Sequence, residues 1–134
     1  MNINTAAFLL REDLVALKVS FEKGVSARKY TYFAGADWLP VDFEVDGLIL
    51  VPSGTSEIVK VARFRNWCDL TDVDIDNEEI DYKFIVGRSL DDVDRYEQAK
   101  EENQAQIRNL KRLRVEAMRN AIRQQFLVEL EEKI

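Results

Sequence analysis

The chain has 134 residues, no histidine and one cysteine, Cys68. That composition removes Ser-His and Cys-His nucleophile pairs, His-ligated metals, Cys-based zinc sites and any internal disulfide. Carboxylates, lysines, arginines, hydroxyls and one thiol remain, a set better suited to binding than to catalysis. Three constellations carry chemistry. Arg108, Arg112, Arg119 and Arg123 fall within about 60° of one helical face, interrupted only by Glu116, and such a stripe can hold phosphate oxygens through paired guanidinium hydrogen bonds. Arg28 to Phe33 (RKYTYF) and Lys60 to Trp67 (KVARFRNW) interleave cations with rings, as a single-stranded nucleic-acid surface requires. From these runs Tyr30, Tyr32, Arg63, Arg65 and Trp67 supply a second candidate wall for an anionic ligand.

Asp72, Asp74 and Asp76 match the first three ligand positions of a calcium loop. Asn77 stands where the loop needs glycine and Lys83 where it needs glutamate, so no metal site is expected. Each constellation also has a plainer reading. A stripe of arginines serves as a solvated face or pairs with an acidic neighbour, tyrosines belong to strands anyway, and an acidic run makes a solvated loop.

The net charge of −6 is segregated: residues 1–68 are neutral, residues 69–102 carry −9 and residues 103–134 carry +3. An acidic chain with one local basic third is unlike a general duplex-DNA binder. No run of about 18 apolar residues is available to cross a membrane. The start lacks a basic, cleavable leader, so a reducing cytosol is expected, with Cys68 packed beside Trp67 rather than reactive.

These residues must be positioned by short strands and one long helix. Val15, Leu17, Val19 and Phe21 alternate with polar or small residues, the period of a half-buried strand. Gly24 and Ser26 turn the chain into a strand at 28–33. Leu48 to Val51, the turn at Pro52-Ser53-Gly54 and Glu57 to Phe64 make a second hairpin, and Ile80 to Val86 predicts a fifth strand. At Ser89 the period becomes helical behind a capping-box sequence, Ser89-Leu90-Asp91-Asp92. From Ser89 to Lys133 there is neither glycine nor proline. The expectation is an α+β single domain spanning 1–134. An antiparallel sheet or partial barrel of about five strands fills 1–88, and a long helix fills 89–134, continuous or divided near Asn103 in the polar stretch Gln98 to Gln106. The helix carries two apolar patches, one around Leu110, Leu113 and Ile122 and another around Phe126, Leu127 and Leu130. One small sheet cannot cover both, which predicts a homo-oligomer through this helix.

Lys29-Tyr30-Thr31-Tyr32, Val45-Asp46-Gly47 followed by Leu48 to Gly54, Val59-Lys60-Val61 and Ile80 to Val86 ahead of a charged helix resemble a widespread group of small, mostly uncharacterised phage-encoded proteins. The resemblance covers residues 28–126, with Val-Asp-Gly here in place of the group's Val-Gly-Asp. Its motifs are structural and imply a shared fold in a host cytoplasm. The layout is also similar to phage proteins that counter host defence by sequestering a nucleotide signal between subunits, an architectural likeness that transfers no residue. The expected function is therefore a non-catalytic, oligomeric accessory protein without cofactor, holding an anionic, nucleotide-class ligand or a host component. Single-stranded nucleic-acid binding is the alternative, and a protein–protein adaptor or inhibitor of a host enzyme the second alternative.

Overall fold

The computed structural model describes residues 1–38, 43–69 and 73–133. Four strands form one antiparallel sheet: β1 (Leu14–Ser20), β2 (Tyr30–Gly35), β3 (Leu48–Ser53) and β4 (Ile58–Cys68), in the order β2-β1-β4-β3. A short helix α1 (Ile3–Leu9) precedes them, and a long helix α2 (Val93–Lys133) follows. The chain is thus α+β, as its periodicity predicts. No described helix is long and apolar enough to cross a membrane.

β1 is covered on both faces, which its alternation understated. Leu17 and Val19 join Tyr32, Ala34, Ile49, Val51, Ala62 and Phe64 in one cluster, capped by Trp38, Phe43 and Ile85. Leu14 and Ala16 point the other way, onto Phe8 of α1, Phe33 and Phe84, with Ala99 of α2 against them. Phe8 and Phe33 stack at 4.4 Å between ring centres. The register Lys18↔Asn66, Val19↔Phe64 leaves Arg65 as an extra residue in β4, a bulge that bends the sheet.

The expected fifth strand is not one. The run Lys83–Gly87 is an extended strap that touches both edges of the sheet in turn. Phe33 donates its amide to Lys83 O and accepts from the Ile85 amide, both at 2.9 Å. Farther along, the Leu50 amide donates to Gly87 O (2.7 Å), and Leu50 O accepts from the Val86 amide (2.8 Å). A segment shared between β2 and β3 closes the half-barrel but makes too few bonds with either to extend a ladder. Gly87 ends the strap at φ +143°, where a Cβ would meet the Asp92 carboxylate at 2.4 Å. That carboxylate accepts from the Arg88 and Ser89 amides, and Ser89 Oγ accepts from the Asp91 amide, so the expected capping box is present.

Nor does the helix divide near Asn103. α2 runs unbroken for 41 residues, about 62 Å. The polar stretch is the part that docks: Tyr96 and Asn103 are buried, and Ala99 packs on the cluster of Phe8, Leu14, Phe33 and Phe84. Spacings of three and four residues place them on one narrow seam, too poor in large apolar residues to be conspicuous in the sequence. Arg11 to Glu102, Lys100 to Glu57 and Arg95 to Asp37 pair across this docking surface. From Lys111 to Lys133 every residue is exposed, so the more apolar half of the helix projects.

Candidate functional site

The β1–β2 hairpin, the tip of the β3–β4 hairpin and the start of the strap enclose a groove of about 830 Å³. Its lining includes Lys18 of β1, Arg28 and Lys29 ahead of β2, Lys60 of β4 and Lys83 of the strap. Phe21, Tyr30, Tyr32 and Tyr82 contribute rings to the same lining. Strand register fixes several of these. Lys18 lies opposite Thr31 and donates to its hydroxyl, and Lys83 Nζ donates to Gly54 O at 2.7 Å, tying the strap to the hairpin tip. Tyr30 is 38 % exposed, its edge against Phe21 and the Arg28 guanidinium 5.2 Å from its ring centre. Tyr32 is buried and donates its hydroxyl to Pro52 O at 2.7 Å. Burial, then the neighbouring Tyr30, raises its pKa, so the phenol stays a neutral donor.

Electrostatics distinguishes this groove. Two carboxylates, Asp74 and Asp81, share the lining with the five cations, yet among the described residues none of those cations sits in a salt bridge. A second groove of about 620 Å³, between β2, the strap and α2, has the opposite character. There Arg11 grips Asp13 through two hydrogen bonds of 2.9 and 2.8 Å and reaches Glu102 at 3.3 Å, while Arg95 pairs with Asp37. The bond to Asp13 raises the Arg11 pKa against the opposing effect of burial, and Arg11 in turn lowers that of Asp13. An anion entering the second groove must displace carboxylates already paired to its arginines; one entering the first meets cations that, among the described residues, sit in no salt bridge.

The structure divides the candidates drawn from the sequence. Tyr30 and Tyr32 line the basic groove. Arg65, at the bulge, donates Nε to Ser20 Oγ, Nη1 to Asp46 Oδ1 and Nη2 to Glu22 O and Gly24 O, a full commitment to holding two turns together. Arg63 donates to Asp46 O. Trp67 packs among Phe43 and Phe64 at 5.7 and 5.4 Å. Arg108, Arg112, Arg119 and Arg123 lie on the projecting half of α2 and line no part of the groove, Arg112 being bonded to Glu116 and Asn109. Lys18 and Lys83 are the groove cations that lie outside the two basic-aromatic runs, although each is the lone cation between apolar neighbours of an extended run, the signal that marks a strand's solvent side.

Of the acidic run, Asp72 lies outside the described residues. Asp74 Oδ1 accepts from the Asp76 amide, and the loop is pinned by Asn2, whose Nδ2 donates to Asn77 O and Ile80 O. Among the described residues no three His, Cys, Asp or Glu side chains gather to hold a metal. Comparison of the chain with protein-family models, with curated proteins and with solved structures finds no match.

Proposed function

We propose that this chain is a non-catalytic binding protein whose half-barrel groove holds an anionic, base-bearing ligand of the nucleotide class. The observation that carries this reading is that five cations which, among the described residues, sit in no salt bridge line one groove together with the partly exposed ring of Tyr30. Phosphate oxygens take the lysines and Arg28, and a base stacks on Tyr30, which Arg28 already flanks. The volume falls within the range of small-ligand sites. Sequestration of a nucleotide signal, the role of the phage proteins whose layout is similar, needs no chemistry beyond such a site.

Single-stranded nucleic acid is the second reading, favoured because the cations flank several rings rather than one. Titration of a labelled mononucleotide, a dinucleotide and a short oligonucleotide against salt tests both. Five single-strand phosphate contacts give a log–log salt slope near −3.5 at about 0.7 per contact, whereas a one- or two-phosphate ligand gives about −1. Absence of binding by all three probes overturns the reading.

A further inference from the structure

The projecting half of α2 leaves Val115, Met118, Ile122 and Phe126 between 47 % and 64 % exposed. We propose that a second copy of this chain covers it, the two helices pairing antiparallel about a twofold axis at Asn120. The argument rests on charge and spacing along one stripe. Val115, Met118, Ile122 and Gln125 recur at intervals of three and four residues, the repeat of a two-helix seam. Extended by the same intervals, the stripe begins with Arg108 and Lys111 and ends with Glu129 and Glu132.

Antiparallel pairing centred on Asn120 sets the basic end of this stripe against its acidic end and its apolar middle against itself. Met118 meets Ile122 of the second copy, Val115 meets Gln125, Lys111 meets Glu129 and Arg108 meets Glu132, and each contact occurs twice, as an isologous interface requires. Parallel pairing instead stacks Arg108 on Arg108 and Glu132 on Glu132, a like-charge contact at both ends of the seam.

Two structural facts agree. The stripe lies about 80° round the helix from the docked seam of Tyr96, Ala99 and Asn103, so the barrel does not obstruct it. The free segment 108–133, about 39 Å long, is itself centred near Asn120, so the second helix ends where the first leaves its barrel at Ile107. Arg108 thereby acquires a carboxylate partner, and the basic and acidic ends of the helix become two halves of one interface.

Light scattering on a sizing column is expected to report a dimer at tens of micromolar. Ile122→Glu should give a monomer with an unchanged barrel, checked by near-ultraviolet circular dichroism. Lys111→Glu should weaken dimerisation about tenfold, and Lys111→Glu with Glu129→Lys in one chain should restore it. In a Cys68→Ala background, Met118→Cys chains should form disulfides when mixed with Ile122→Cys chains and not alone. A wild-type monomer, a double exchange that fails to restore the dimer, or self-crosslinking of Met118→Cys each overturns the proposal.

Discussion

Glu57 and Lys100 form a 2.7 Å ion pair that fastens the tip of the β3–β4 hairpin to α2, and Tyr96 donates its hydroxyl to the same carboxylate oxygen at 3.3 Å. Glu57 holds a left-handed backbone, φ +51°, closing the turn with its amide on Gly54 O. The Lys83 ammonium anchors the same tip through Gly54 O. One carboxylate thus joins hairpin, helix and, through this tip, the strap that borders the groove.

Replacing Glu57 with Gln should lower stability by about 1 kcal/mol or less, since both side chains are partly solvated. The hydrogen bond from Lys100 lowers the Glu57 pKa below its ordinary 4.5, and the same bond raises that of Lys100 above 10.5. A depressed carboxylate contributes stability above its unfolded value and loses it as pH falls through its folded one. The raised lysine contributes below 10.5 and loses that contribution as pH rises past its folded value. Urea unfolding of wild type and variant should therefore show a constant difference between about pH 5 and 10 that shrinks on either side. A difference unchanged at pH 3 would contradict the pairing.

Tyr96 should limit stability in alkali. Burial, then the adjacent Glu57 carboxylate, pushes its phenol from 10.0 up to about 12. The folded state favours the protonated phenol, so its contribution is complete below pH 10.0 and is lost on the way to about 12. Tyr96→Phe, which cannot ionise, should flatten the fall in unfolding free energy across that interval, leaving the parts due to Tyr32 and Lys100, both also raised. An alkaline limb identical to wild type would count against this assignment.

Four strands, two hairpins, the capping box and the long helix were legible because each has a local signal: alternation, turn residues, or an uninterrupted helical run. The strap looks like a fifth strand in sequence because Ile80, Tyr82, Phe84 and Val86 alternate as a strand does, while the edges it meets are set by barrel closure. α1 has no comparable signal, since seven residues beginning Ile-Asn-Thr carry no clear period. The groove was legible in part. Local composition marked Arg28, Lys29, Tyr30 and Lys60 as interesting, but only the register of β1 and the closure of the strap bring Lys18 and Lys83 beside them. Arg63, Arg65 and Trp67 share a run with Lys60, and the bulge turns Arg65 into a brace.

Asn2 should be disproportionately important for a residue so near the chain start. It is 5 % exposed, caps α1 through Oδ1 and fixes the acidic loop through Nδ2. Asn2→Ala removes the cap and leaves two carbonyls without their donor, a loss of about 2 to 4 kcal/mol. Chemical denaturation measures it, and a loss under about 0.5 kcal/mol would show that water replaces the side chain.

Chelation should leave the protein unaffected. Asp74 spends a carboxylate oxygen on the Asp76 amide, and Asn2 Nδ2 ties the loop down through Asn77 O and Ile80 O. Thermal unfolding with and without excess chelator should coincide, and a fall in Tm after chelation would assign the loop a cation.

Paired substitutions decide which basic surface takes the ligand. Lys60 lines the groove and, among the described residues, sits in no salt bridge, whereas Arg119 and Arg123 stand on the projecting half of α2. Lys60→Glu replaces an attraction by a repulsion and should weaken binding of an anionic nucleotide probe by about ten- to a hundredfold. Tyr30→Ala should cost about 1 to 3 kcal/mol of stacking, with little change in salt slope, because it removes a ring and no charge. The double replacement Arg119→Ala, Arg123→Ala should leave affinity within about threefold of wild type, because neither guanidinium borders the groove. Fluorescence anisotropy of the labelled probe reads all three. If the helix pair abolishes binding while Lys60→Glu and Tyr30→Ala do not, the ligand lies on the projecting helix, and the groove cations serve only to solvate that end of the barrel.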